Sequence, residues 1–194
     1  IIIASIPEHY ESFSRLIKDY KPNAKLICHF GNALWNIRDY LYKNILASVS
    51  PQTVPEGYNV CYYHQEFSLD TFAYSSPREN PQISCFMNCL DSFPDASLFY
   101  EMEKAMGDCW VFKAFGAGNR DGVISGHQKI ADQMAKSRFG FHCKKNGDGF
   151  GHIFWNWAFC GRPIITRWED YKDKLGGVLL KDGKTCILVD RLSV

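Results

Sequence analysis

At 194 residues, with 46% hydrophobic and 15% aromatic content, the chain is long enough for one sizeable globular core or two small ones. Its 22 basic and 21 acidic residues leave no broad field to draw it to nucleic acid or to an anionic membrane surface. No apolar run reaches the roughly 18–20 residues that a membrane-spanning helix needs.

The opening IIIASIPEHY has neither an initiator methionine nor a basic n-region, so it does not read as a signal peptide. It enters in mid-strand, and the expectation is a piece of a longer protein. Ile1–Ser5 reads as a strand broken by Pro7. His9–Tyr20 carries Phe13, Leu16, Ile17 and Tyr20 at three-and-four spacing, the pattern of an amphipathic helix. Ala24–Phe30 is a second strand, Leu34–Leu46 a helix, Ser50–Tyr58 a loop and Asn59–His64 a third strand. Thr71–Gln82, with its prolines and serines, is the best linker in the chain.

The same rhythm then restarts. Ile83–Cys89 is a strand, and a helix begins near Pro94 and stops at Gly107. Asp108–Phe115 is a strand, Gly116–Gly122 (GAGNRDG) a loop, and Gly126–Lys136 a helix. Ser137–His142 is a short strand, followed by the glycine turn Asn146–Gly151, an apolar helix over His152–Cys160 and the strand Ile164–Thr166 after Gly161-Arg162-Pro163. Trp168–Leu175 is a short helix, Val178–Leu180 a brief extended piece, and Cys186–Asp190 the last strand. Strands alternating with helices predict α/β architecture. The expected fold is a Rossmann-like parallel sheet with helices on both faces over residues 76–194, preceded by a partial Rossmann-like lobe over residues 1–75. In such sheets ligands sit beyond the C-terminal strand ends.

The unit Ser137–Thr166 is one βαβ crossover. Its glycine turn leaves backbone N–H groups at a helix N-terminus, where the macrodipole adds partial positive charge and a phosphate is favoured. Lys144 and Lys145 stand just before it. A tight βα turn with no ligand is the plain alternative. The segment Asp148-Gly149-Phe150-Gly151, then Asn156, then Ala158-Phe159-Cys160-Gly161-Arg162-Pro163-Ile164-Ile165 resembles the donor-sugar signature of GT-B glycosyltransferases. The resemblance covers roughly Ile83–Asp190. It implies a C-terminal donor-binding lobe plus the end of an acceptor-side lobe, and transfer of a sugar from a nucleotide-diphosphate donor. In the retaining members two acids flank the helix start; the matching positions here are Asp148 and Asn156, so the first acid is shortened and the second is an amide.

On that resemblance Lys144, Lys145, Asp148, Gly149, Phe150, Gly151 and Asn156 would bind the donor, with Asn156 at the ribose. Arg120 would neutralise the leaving diphosphate, since its planar fork suits bidentate contact; a solvated loop is the other reading of residues 116–122. Lys113 would lie near the cleft edge. Asp148 also reads as an ordinary turn aspartate, His152 as a core or surface histidine, and Trp155 and Trp157 as core rather than base-stacking platform. His29 and His64, at strand ends of the first lobe, are candidates for a general base because histidine titrates near neutrality; packed polar strand ends are the alternative.

The eight cysteines form no C-x-x-C pair and most fall in apolar runs, which suggests buried free thiols in a reducing compartment. No serine-hydrolase, zincin or P-loop motif occurs, and Asp-x-Asp is absent, so no metal is expected. The nucleotide sugar would be co-substrate with no other cofactor, and the acceptor a glycan, lipid or small molecule. A cytoplasmic protein, peripheral to a membrane at most, is the expected setting. A non-catalytic nucleotide- or sugar-binding module is the alternative function.

Overall fold

The computed structural model describes residues 2–4, 9–30, 45–48, 59–63, 68–76, 80–144 and 151–190. The chain forms two compact units, Ile1–Gln65 with Asp148–Phe150 and Asp173–Leu175, and Glu66–Gly147 with Gly151–Lys172 and Gly176–Val194. Each is taken by itself.

The first unit contains strands β1 (Ile2–Ala4), β2 (Leu26–Phe30), β3 (Ile45–Ser48) and β4 (Asn59–Tyr62), all parallel in the order β1-β2-β3-β4. Helix α1 (Tyr10–Tyr20) joins the first two strands. It buries Tyr10 and Ile17, while the expected face residues Leu16 and Tyr20 are exposed. Of the predicted face, Ile17 is buried and Phe13 half-buried, so the buried stripe keeps only part of it. The Tyr10 hydroxyl donates to the His29 carbonyl at 2.6 Å. Strand β3 corrects the end of the helix expected over Leu34–Leu46: Ile45 pairs with Ile27 and Asn59, while residues 34–44 lie outside the described residues.

The second unit carries a five-stranded parallel sheet in the order β6-β5-β7-β8-β9. The strands are β5 (Gln82–Phe86), β6 (Val111–Phe115), β7 (Phe139–Phe141), β8 (Ile164–Thr166) and β9 (Cys186–Leu188). The helices α2 (Ala96–Met106), α3 (His127–Lys136), α4 (His152–Phe159) and α5 (Trp168–Tyr171) follow β5 to β8 in turn. The order reverses between β5 and β7, the switch point where open parallel sheets hold ligands. Trp168 and Glu169 at the start of α5 donate their backbone N–H groups to the Asp190 carboxylate at 2.9 and 3.0 Å. A 3-10 helix over Leu175–Leu179 replaces the extended piece expected near Val178.

Sheet alternation sends side chains into two cores. Ile83, Cys85, Phe112, Phe141 and Ile165 pack on one face with Phe99 of α2. Ile164, Cys186 and Leu188 pack on the other with Met134 of α3 and Phe154 and Trp157 of α4. Helix α4 is apolar nearly all round, as a buried helix must be. A Cβ on Gly140 would lie 2.4 Å from the Trp157 ring, so only glycine lets the indole rest on β7. All eight cysteines are free thiols; burial raises Cys28 to about 11 and Cys85 to about 12, so both stay protonated.

The stretch expected as a linker is packed. Phe72 is buried with the α3–α4 core, and the Tyr74 ring lies where a Cβ of Gly161 would fall, 2.5 Å away. Arg162, 2% exposed, donates to the Ser75 carbonyl at 2.7 Å, to the Ser75 hydroxyl at 2.9 Å and to the Ser76 carbonyl at 3.3 Å. The same guanidinium reaches the Cys160 and Ala135 carbonyls, each at 2.9 Å. Replacing Arg162 with Met should leave several of these carbonyls buried and unmet, lowering stability by roughly 2–4 kcal/mol. A urea midpoint within error of the wild-type value would contradict that role.

Candidate functional site

A cleft of about 830 Å³ opens in the second unit at the C-terminal ends of β5 and β6. Phe86 and Phe115, at those strand ends, form an aromatic floor with ring centroids 5.1 Å apart. Phe86 also meets Trp157 edge-on at 5.6 Å. Ile130 and Ile153 add aliphatic wall, Val123 and Ile124 form part of the rim, and Ser68, Leu69, Asp70 and Phe72 close the side supplied by the packed stretch.

Two helices begin at this cleft. His127 opens α3 and His152 opens α4, and both line it. Neither helix has a side-chain cap or an acidic residue in its first turn, so their N-terminal partial charges are not offset locally. Gly151, the α4 N-cap, has φ +68°, a left-handed turn that glycine makes without strain. Burial, and then the neighbouring His127, hold His152 below the ordinary histidine value. His127 in turn lies 6.3 Å from the Phe72 ring.

One turn into α4, Asn156 is 8% exposed and lines the cleft. Its Oδ1 is buried and has no hydrogen-bond partner among the described residues. A buried acceptor left unmet costs about 1–3 kcal/mol, so this atom points to a donor arriving from outside the chain. No lysine or arginine is among the described residues that line the cleft. It suits a flat, hydroxyl-bearing, uncharged group better than a phosphate.

The other predicted residues fall as follows. Lys144, half-buried just beyond β7, lies over the Phe93 ring at 5.2 Å. Lys145, Asp148, Gly149, Phe150 and His64 lie outside the described residues. Trp157 is core, as expected, and Trp155 stands 6.3 Å from Phe159. In the first unit His29 Nε2 meets the Tyr63 hydroxyl, with the rings 5.1 Å apart.

The loop over Gly116–Gly122 is tied down by its own side chains. Arg120 closes its fork on Glu103 of α2 with two bonds of 2.6 Å and donates to the Phe112 carbonyl at 2.9 Å. That fork is committed to holding α2 against β6. Lys113 Nζ is 2.9 Å from Asp121, whose other oxygen accepts the Ala114 N–H at 2.8 Å. Asn119 accepts from the Leu90 N–H at 2.9 Å and donates to the Phe115 carbonyl at 3.0 Å, tying the exit of β5 to that of β6. The loop braces the cleft floor.

Sequence reasoning missed Asp70, Phe72, Phe86, Phe115 and His127. Of these, Phe115 closes a predicted strand at the ligand-bearing end and Phe86 lies within another; Phe72 falls in the stretch read as linker, and Asp70 just before it.

No protein-family model matches the chain, and no curated protein matches it. Among solved structures, HepE of Anabaena in complex with UDP-glucose superposes with a TM-score of 0.63 at 12% identity, over 96% of this chain and 64% of HepE. A glycosyltransferase from Rickettsia africae gives 0.65 at 15% identity, over 86% of this chain and 57% of that one. The GtfA/B complex gives 0.63 at 16% identity, over 93% and 44% respectively. The fold is that of these structures, and the chain spans less than two thirds of the length of each.

Burial raises the Asp121 pKa, but Lys113, the Ala114 N–H and Arg120 more than reverse this, so its carboxyl lies below the ordinary value. A depressed carboxylate adds stability above its unfolded pKa and loses it as pH falls through the folded one. Asp121→Asn should therefore cost roughly 1–3 kcal/mol at pH 7. The gap to wild type should narrow as acid unfolding is followed below about pH 4; a gap independent of pH would remove the charge from the account.

Proposed function

We propose that the chain is a glycosyltransferase of the GT-B type, or a piece of one, and that the cleft of its second unit takes the nucleoside of a nucleotide-diphosphate sugar. The observation that carries this is the Asn156 Oδ1, buried and without a hydrogen-bond partner among the described residues, in an aromatic-floored cleft at the C-terminal ends of β5 and β6. The likeness in fold to HepE, crystallised with UDP-glucose, supports the reading. A base against Phe86 and Phe115 would stack on sequence-tolerant π faces, and Asn156 would accept from a ribose hydroxyl.

The diphosphate would lie toward the N-terminus of α4, beside Gly151 and Lys144, with Lys145, Asp148, Gly149 and Phe150 on the same stretch of sequence. In the transfer the acceptor oxygen attacks the anomeric carbon while the bond to the diphosphate breaks. The nucleotide departs with the electron pair. What the protein must supply is positive potential where that charge collects, from bare helix N–H groups and lysine. His29, hydrogen-bonded to Tyr63, or His64 would take the acceptor's proton. Arg120, committed to Glu103, is not given a part in this proposal. Since no metal-binding motif is needed for this chemistry, transfer should persist in EDTA.

Thermal-shift measurements against a panel of nucleotide sugars and free nucleotides test the proposal, paired with an assay for donor hydrolysis and transfer. Stabilisation with turnover supports the transferase; stabilisation by nucleotides with neither hydrolysis nor transfer favours the binding module. Asn156→Ala should weaken nucleotide binding by roughly 0.5–1.5 kcal/mol, one hydrogen bond. An unchanged dissociation constant takes the residue out of the site.

A further inference from the structure

We infer that the loop over Gly116–Gly122 is an edge seal: it stands where a further strand would pair with β6 and keeps β6 from pairing with a second copy of the chain. The inference is independent of what the cleft binds. Among the described strands β6 is the outermost on its side of the sheet, and an edge strand presents a row of backbone groups to any strand that meets it. Along a parallel strand the N–H and C=O groups of successive residues point to opposite sides. The Val111 N–H donates to the Pro81 carbonyl at 2.8 Å, toward β5. Lys113 and Phe115 therefore face β5 as well, while Phe112, Ala114 and Gly116 face outward.

The loop meets those outward groups one after another. Arg120 Nη2 donates to the Phe112 carbonyl at 2.9 Å. The Asp121 carboxylate accepts the Ala114 N–H at 2.8 Å, and the Asp121 N–H donates to the Ala114 carbonyl at 3.1 Å. The Gly116 N–H donates to the Gly122 carbonyl at 2.8 Å, and the Asn119 N–H donates to the Gly116 carbonyl at 3.2 Å. Two of these contacts come from charged side chains that are themselves held, Arg120 by Glu103 and Asp121 by Lys113. An incoming strand would have to break both ion pairs to reach β6. With Val111 exposed at the head of the strand, an unsealed β6 offers an apolar edge with open donors and acceptors. Two such identical edges pair antiparallel about a two-fold axis.

Hydrogen exchange and light scattering on the full chain test this. In the wild type the Ala114 and Gly116 amides should exchange as slowly as those of Lys113 and Phe115, although they face away from the sheet. Fast exchange at Ala114 and Gly116 beside slow Lys113 and Phe115 means that no seal exists and overturns the inference without any variant. A chain carrying both Arg120→Ala and Asp121→Ala should exchange the Ala114 amide about tenfold faster, the worth of one hydrogen bond. Its Lys113 and Phe115 amides should stay protected, and its scattering mass should roughly double with rising concentration as β6 pairs with β6. Lys113→Ala removes an ion pair but none of the outward backbone contacts, so its mass should match that of the wild type. A double variant that keeps both its sheet protection and the wild-type mass sinks the inference. Equal association by Lys113→Ala does the same, because it traces the pairing to lost stability and not to an opened edge. Asp121→Ala alone, which leaves the Arg120 fork on Glu103, gives the same reading if the double variant loses its sheet.

Discussion

The second unit depends on one buried guanidinium. Arg162 sits where α3 and α4 end, and it spends its protons on the carbonyls of Ala135 and Cys160 and on Ser75 and Ser76. Helix C-termini carry unmatched carbonyls and partial negative charge, so a cation there is stabilised by the same groups it satisfies. The bond to Ser75 and Ser76 does more than cap. It fastens the stretch ahead of β5 to the far side of the helices, which brings Phe72 into their core and Asp70 to the cleft. Lysine, a point charge with three donors, could not span these acceptors.

Around the cleft, charge is sorted by whether it has been satisfied. Arg120 with Glu103 and Lys113 with Asp121 are closed pairs, and they fix α2 and the exits of β5 and β6 in place. The cleft itself holds aromatic rings, two histidines at helix starts, the Asp70 carboxylate and an amide oxygen with no hydrogen-bond partner among the described residues. Rigid satisfied groups outside and an unsatisfied acceptor inside are what a preorganised binding site requires.

Much of this was legible in the sequence, because period and punctuation fixed it. Apolar runs of strand length, glycine at helix ends and the turn before His152 located every strand and α-helix of the second unit to within a few residues, though not its 3-10 turns. Polar composition misled at Thr71–Gln82, where two aromatics among serines anchor the stretch; short anchors carry no period. Ile45–Ser48 was hidden because a four-residue strand beside a helical pattern has too few residues to declare itself. Arg120 was read by what a guanidinium can bind, whereas its nearer partner, Glu103, lies seventeen residues away on another element. Asn156 was found through its place in the glycine-turn motif, yet its unmet oxygen is a property of packing that no motif encodes.

One consequence follows from a single stretch serving both as anchor and as wall. For any ligand that touches Asp70 and α4 together, docking of residues 68–76 and filling of the cleft are thermodynamically coupled, each favouring the other by an equal amount. Occupancy would make that stretch harder to peel away, and loosening its far end at Ser75 would be felt as lost affinity at a cleft that Ser75 itself does not line. The Arg162 clamp is in that sense a remote determinant of how tightly the cleft can hold anything.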